Sequence, residues 1–370
     1  MKVPFIDLEA QYRSIRPAID KAWRDSFFSF RYIGGPWVEG FEERFREITG
    51  ARHCVATSNG TSSLFLILKA LGIKSGDEVL TPAFSWISSA ETVTSCNATP
   101  VFVDVDPVTY TLDPTLIERH INSRTRAIIA VHLYGQAAHA SLLRKVCRKH
   151  GLFLIEDCAQ AHLTRENGRM AGTFGDAAAF SFYPTKNLGA YGDAGCVVTN
   201  SASLAGRVRR LANHGALKKD DHAIEGINSR MDVIQAAFLT AKLPYLKQWN
   251  EARQTHAALY RSLLAPLSQV VLPAERPDVI HTYHLFVIRV ANRNGLKRHM
   301  EERGVETLVH YPRSLPNSPA YAHLRLDPAH YPVSNALEKE VLSLPIYPEL
   351  TEKQIRYVAR NIKDFYKKVK

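Results

Sequence analysis

From about residue 50 to residue 245, short apolar runs alternate with stretches of helical period. His53–Thr57 has the length and apolar content of a strand, and Ser62–Leu71 is a nearly all-apolar stretch long enough for a buried helix. The turn Ser75-Gly76-Asp77 opens a strand that runs to Leu80, and further strands are predicted at Thr99–Asp104, Arg126–His132 and Leu152–Asp157. Ser141–His150 sets Lys and Arg opposite apolar positions, as an amphipathic helix does. Unbroken apolar strands between helices imply a sheet covered on both faces, and such sheets are mainly parallel.

After two more strands, Ala178–Phe182 and Gly195–Thr199, the alternation changes. Met231–Leu243 predicts a helix closed by Pro244, and a long helix follows from Leu246 to about Leu264. Then come a strand at His284–Val290, a further helix, a short strand at Thr307–His310, a proline-rich stretch from Pro312 to Pro332, and a closing helix from Glu352. The pattern predicts an α/β protein in two parts. A large, mainly parallel domain covers residues 1–245 with the N-terminal segment, and a smaller α+β domain covers 246–370.

Composition supports this and narrows it. With 370 residues, 45% of them hydrophobic, the chain can bury a large core, and a 22% charged content argues against global disorder. Met1–Asp7 has no apolar signal region, and Leu64–Leu71, the longest greasy run, is interrupted by Lys69 and too short to span a bilayer. A net charge of +11 raises the question of nucleic acid. Yet the basic runs Arg207–Arg210, Lys218–Lys219 and Lys367–Lys370 lack the interleaved aromatics of a stacking platform. Solvated helix faces, or a phosphorylated small substrate, account for the charge better. The five cysteines include no C-x-x-C pair and fit reduced, buried thiols. The expectation is a cytoplasmic enzyme with no membrane or nucleic-acid partner.

Ligands of open parallel sheets bind at the carboxyl ends of the strands. Polar residues directly after apolar runs are therefore the candidates. Ser58-Asn59-Gly60-Thr61 joins a strand to a helix, where free N–H groups and a glycine suit a phosphate; an ordinary N-cap is the alternative. Asp157 ends a buried strand, where a carboxylate is costly unless paired, and a protonated pyridine nitrogen or a loop cap would serve equally. Lys186 follows the strand and turn Ser181-Phe182-Tyr183-Pro184-Thr185, and reads either as a surface lysine or as a Schiff-base lysine. Trp86, after another strand, reads as a ring cover or as core. No P-loop occurs, and Gly189–Gly195 lacks G-x-G-x-x-G spacing. The H-x-x-H pair His281 and His284 lies in a strand-like segment and does not read as a metal site.

Three segments carry a resemblance: Ile155–His162, Gly175–Gly189 and Asn228–Ala237. Together they resemble the DegT/DnrJ/EryC1/StrS sugar aminotransferases, from Val3 almost to the C-terminus. The resemblance implies a fold type I, aspartate-aminotransferase-like transferase that uses pyridoxal 5'-phosphate (PLP). Lys186 would carry the cofactor, Asp157 would pair with its ring nitrogen, and Gln160 would lie near its ring hydroxyl. Gly60, Thr61 and Ser181 would hold the phosphate, Trp86 would stack on the ring, and Asn228 would reach the phosphate across a homodimer with shared active sites. The implied reaction takes an amino group from glutamate to carbon 3 of a dTDP-linked 3-oxo-6-deoxyhexose. Tyr183, His310 and Tyr311 would contact the sugar and Lys219 the diphosphate. A UDP-linked or 4-oxo sugar is the alternative substrate. A related dehydratase branch has histidine at the lysine position, and Lys186 argues against it; the intact residue set argues against a non-catalytic regulator. Departures from the family pattern are Cys158, Leu163-Thr164-Arg165, Thr185 and Arg313–Asn317.

Overall fold

The computed structural model describes residues 1–218 and 220–368. In chain order it builds α1 (Leu8–Phe27), α2 (Pro36–Thr49), β1 (His53–Thr57), α3 (Gly60–Ala70), β2 (Glu78–Pro82), α4 (Ser88–Thr94), β3 (Thr99–Val103), β4 (Thr125–Val131), α5 (Ala140–His150) and β5 (Phe153–Asp157). There follow β6 (Arg165–Glu166), β7 (Arg169–Met170), β8 (Ala177–Ser181), β9 (Gly195–Thr199), α6 (Ala202–Leu211), α7 (Val233–Lys242) and α8 (Leu246–Leu264). The rest is β10 (Val270–Val271), β11 (Val279–Ile280), β12 (Phe286–Val290), α9 (Arg293–Glu302), α10 (Pro332–Glu340), β13 (Val341–Leu344) and α11 (Glu352–Lys368).

Seven strands form one sheet in the order β1-β9-β8-β5-β4-β2-β3. β9 runs antiparallel to both of its neighbours, and the remaining pairings are parallel, so β9 alone is reversed. Strand period explains the unbroken apolar runs. In β8, Ala177 and Ala179 face a core completed by α3 and α6, through Leu64, Ile67, Leu204 and Val208. Ala178 and Phe180, between them, face Phe41, Phe45 and Leu239 of α2 and α7. Both faces are covered, so apolar residues occupy successive positions of β8 from Ala177 to Phe180.

α8 links this body to the second one. Leu246 packs in the α2–α7 core, whereas Ala257, Tyr260 and Leu264 pack against the small antiparallel sheet β10-β12-β13. The N-terminal Val3 pairs with Val305 and enters that same core, and α1 lies on α7 and Trp249 through Ile15, Ile19 and Ala22. Among the described residues, no helix is long and apolar enough to cross a membrane.

Two boundaries differ from the sequence pattern for physical reasons. The strand expected at Thr307–His310 shrinks to a lone pairing of Leu308 with Ser343, because the His310 carbonyl accepts from the Tyr134 hydroxyl instead of a strand neighbour. β12 starts at Phe286 and not at His284: the His284 carbonyl is taken by Arg253, and the Leu285 N–H donates to Tyr134.

Candidate active site

A cavity of about 660 Å³ opens where the parallel strands end. β1 delivers Asn59, Gly60 and Thr61; β2 delivers Ser85 and Trp86; β5 delivers Asp157, Ala159 and Gln160; β8 delivers Ser181 and, beyond it, Tyr183, Thr185 and Lys186. The reversed β9 brings its beginning to the same edge, with Asp193 just before it. His284, His310 and Tyr311 close the far side.

Backbone fit at the β1 end is tight. Asn59 caps α3, its side chain accepting from Ser62 N at 2.8 Å, and helix geometry leaves the N–H groups of Gly60 and Thr61 without intrahelical partners. A Cβ on Gly60 would lie 2.7 Å from the Ser181 Cβ, and one on Gly195 would lie 2.4 Å from the Asn59 carbonyl carbon. Only glycine lets these three segments meet and leave their donors facing the cavity. Thr61 Oγ1 bonds Ser88 Oγ at 2.7 Å. Ser85 Oγ is buried with no partner in the protein, a polar atom left for a ligand. This cradle of free N–H groups and hydroxyls fits the phosphate of the cofactor that the family resemblance implies.

Asp157 is 7% exposed and accepts from Ala159 N at 3.0 Å. Burial raises its pKa, opposed by that N–H and by the Lys186 charge. A cationic ring nitrogen would relieve the same burial cost. Lys186 is pushed down to about 8, chiefly by desolvation and against the pull of Asp157. The turn that presents it closes through Lys186 N to Tyr183 O at 2.8 Å. At Gly189 a Cβ would lie 2.2 Å from the Pro184 carbonyl oxygen, so that turn also requires glycine. A lysine near 8 can hold or release a proton close to neutrality, as a proton carrier must.

The lowered pKa has a sign in stability. A cation whose folded pKa falls to about 8 from 10.5 binds fewer protons folded than unfolded between those values. Stability therefore rises with pH across that window. In cofactor-free protein, Lys186→Met is expected to be more stable than the parent below pH 8. The difference should shrink to nothing above about 10.5, as denaturant melts at several pH values would read; a pH-independent difference would refute the depressed lysine.

Gln160 is held at both ends: its Oε1 accepts from Tyr134 N at 2.7 Å, and its Nε2 donates to the Tyr311 hydroxyl at 2.9 Å. Tyr311 thus accepts from Gln160 and keeps its own proton for another partner. His310 Nδ1 bonds Ser343 Oγ at 2.8 Å. Trp86, 58% exposed, tilts against Tyr311 at 5.7 Å, and Tyr183 is 53% exposed at the cavity mouth.

One expected residue, Asn228, does not line the cavity: it is exposed and pairs with Asn213. Lys219 lies outside the described residues. Conversely, Ser85 and Asp193 line it without having been singled out, and so does His284, which the sequence offered only as half of a rejected metal pair. Asp193 was hidden because strand direction is not legible in an apolar run: only a reversed β9 turns its first residues toward the site.

Among the described residues, one group of His, Cys, Asp or Glu is compact enough to suggest a metal: His132, Glu156 and Cys158, just beneath the cavity. Its atoms are already committed. Glu156 accepts from Gly172 N at 2.7 Å, Gly175 N at 2.6 Å and His132 Nε2 at 3.0 Å. His132 Nδ1 must accept from Ala138 N at 3.1 Å, which leaves the ring neutral with its proton on Nε2. The Cys158 thiol is pushed up by burial. The cluster is a hydrogen-bonded floor beneath Asp157.

Comparison with known proteins came out consistently. The family model described as DegT/DnrJ/EryC1/StrS aminotransferase family matches residues 14–363. The chain is 45% identical to the Saccharopolyspora erythraea "Erythromycin biosynthesis sensory transduction protein EryC1", over 98% of this chain and 99% of that one. It is 42% identical to a dTDP-3-amino-3,4,6-trideoxy-alpha-D-glucose transaminase of Streptomyces venezuelae, over 100% and 97%. A UDP-N-acetyl-3-dehydro-alpha-D-glucosamine 3-aminotransferase of Acidithiobacillus ferrooxidans is 39% identical, over 98% and 97%. Among solved structures, S. venezuelae DesV in complex with a ketimine intermediate superposes with a TM-score of 0.96 at 43% identity, over 98% of both chains. The α/β fold expected from the sequence is the fold of these aminotransferases.

Proposed function

Because the chain belongs to the DegT/DnrJ/EryC1/StrS aminotransferase family and is a PLP-dependent nucleotide-sugar transaminase, we propose that it moves an amino group from glutamate to carbon 3 of a dTDP-linked 3-oxo-6-deoxyhexose. The observation that carries this reading is the pairing of a deep-set Lys186, lowered to about 8, with a buried Asp157 in one strand-end cavity. Bound PLP supplies an electron sink for the carbanion formed when the amine-bearing carbon loses its proton. The protein's own residues do the rest. Lys186 Nζ would hold the cofactor and, when free, would take the proton from the amine-bearing carbon. Asp157 would keep the ring nitrogen protonated. Gly60, Thr61 and Ser181 would hold the phosphate, Gln160 would serve the ring hydroxyl, and Trp86 would serve as the ring's aromatic cover.

For the sugar, Tyr183, His310 and Tyr311 are the contacts we assign, with Tyr311 as a donor because Gln160 occupies its acceptor side. Lys219 is assigned to the diphosphate. Asn228 is assigned to the phosphate of a second subunit's site; its exposure on one chain agrees with a role across a homodimer interface. A UDP-linked 3-oxo sugar is the second reading, favoured by the 39% identical relative named for one. A purely regulatory role, as the name of the 45% identical relative suggests, sits poorly with a complete lysine–aspartate pair.

The test is glutamate-dependent amination of dTDP- and UDP-linked sugars carrying 3-oxo or 4-oxo groups. Turnover of the dTDP 3-oxo sugar is expected to exceed the others by at least about tenfold, the worth of one well-placed hydrogen bond. Exclusive use of a UDP-linked or a 4-oxo sugar would remove the proposal.

A further inference from the structure

A chain of hydrogen bonds whose directions are all fixed ends at the cavity on His284. Its origin is the backbone carbonyl of His162, which can only accept, so the Asn250 side chain must place its amide nitrogen there, at 2.8 Å. Asn250 Oδ1 then faces Asn187 and accepts from Asn187 Nδ2 at 2.8 Å. The same Asn187 nitrogen donates to the Thr282 carbonyl at 3.0 Å, which fixes the Asn187 amide a second time. Asn187 Oδ1 is left to meet His284 Nδ1 at 3.2 Å, and as an acceptor it demands the proton on that nitrogen. His284 is thus the Nδ1–H tautomer, with its Nε2 lone pair free.

The backbone that carries the ring is also held. Arg253 Nη1 donates to the carbonyls of Tyr283, His284 and Ile346, at 3.3, 3.3 and 2.8 Å. His284 is 8% exposed and lines the cavity that holds Lys186. Neither of the other imidazoles near Lys186 has this arrangement. Among the described residues, no well-formed hydrogen bond fixes either His162 nitrogen, and His310 bonds a serine hydroxyl that can donate or accept. Among the described residues, no hydrogen bond holds the Lys186 ammonium, which carries three donors.

We infer that His284 Nε2 is the acceptor that holds the Lys186 amine when that amine is free, with Asn187 and Asn250 as the relay that keeps the lone pair in place. His284 is then a positioning residue that acts through Lys186. This rests on Lys186 being the proton carrier proposed above. The charged and titratable groups around Lys186 are Asp157 from β5, His162 beyond it, Tyr183 in its own turn, His284 ahead of β12, and His310 and Tyr311, with Asp193 just before β9. Burial and the Lys186 charge both depress His284, so it stays neutral and able to accept.

An acceptor favours the ammonium, so its loss should lower the Lys186 pKa further. The test uses cofactor-free protein, where Lys186 acetylation by acetic anhydride is followed against pH by peptide mass spectrometry. His284→Leu should shift the Lys186 profile down by roughly one unit, labelling up to about tenfold faster below pH 7. His284→Gln, which can offer an oxygen at the same reach, should stay within about a third of a unit of the parent. Asn187→Leu keeps the imidazole but frees its tautomer, and should move Lys186 the same way as His284→Leu. An unmoved profile in folded His284→Leu overturns the inference; should that variant not fold, an unmoved profile in Asn187→Leu does so. A protein whose borohydride-reducible PLP attachment does not depend on Lys186 would instead remove the underlying reading, and the two failures are separately visible.

Discussion

Lys186→Ala should lower glutamate-dependent transamination by at least about 10³-fold, because one substitution removes both the covalent anchor and the general acid–base group. The geometry makes the loss hard to rescue from within. Among the described residues, Lys186 is the lysine that lines the cavity, and the neighbouring imidazoles His162 and His310 are each depressed by burial, to about 3 and about 4, so neither is a matched proton carrier near neutrality. The variant should bind PLP yet form no link that borohydride reduces, read as loss of the pyridoxyl mass on the peptide containing residue 186. Turnover within tenfold of the parent would refute the assignment.

Asp157→Asn should cost about 10²–10³-fold in turnover, on the scale of removing one preorganised charge partner. The substitution is nearly isosteric, and asparagine Oδ1 can still accept from Ala159 N, which Asp157 does at 3.0 Å. What disappears is the negative charge. Asp157 is buried with its pKa raised, so the protein bears a desolvation cost that the Ala159 N–H and Lys186 offset only in part and a cationic partner would offset further. With asparagine, that cost and its purpose both vanish: the cofactor-free protein should be no less stable, while turnover drops and PLP binding weakens. Full activity in Asp157→Asn would mean that the carboxylate serves the loop and not the cofactor, and calorimetry with steady-state rates separates these outcomes.

Much of this was legible in the chain. β8 shows why: both faces of Ala177–Ser181 are buried, so its composition announces a covered sheet. Asp157 and the Ser58–Thr61 segment could be found because each stands at the end of a predicted strand, where such sheets bind, whereas Ser181 came from the family resemblance. Boundaries were less legible. Asn59 starts α3 at Gly60, two residues before the apolar run at Ser62, because a side-chain cap and not hydrophobicity sets the first turn. Trp86 and Tyr183 could not be placed between core and surface, since an aromatic at a strand end suits either; over half of each is exposed.

The sequence by itself determined the local facts: strand and helix periods, the glycines that permit close backbone approach, and a lysine and an aspartate each placed after a strand. Periodicity and composition depend on near neighbours, so they survive reading in one dimension. Tertiary structure decided what depends on partners far along the chain. It set the reversal of β9 that brings Asp193 to the site, the burial that lowers Lys186 to about 8, and the Asn250–Asn187–His284 relay that spans residues 162 to 284. Desolvation and hydrogen-bond direction are properties of enclosed space, and that space exists only once the two bodies have packed.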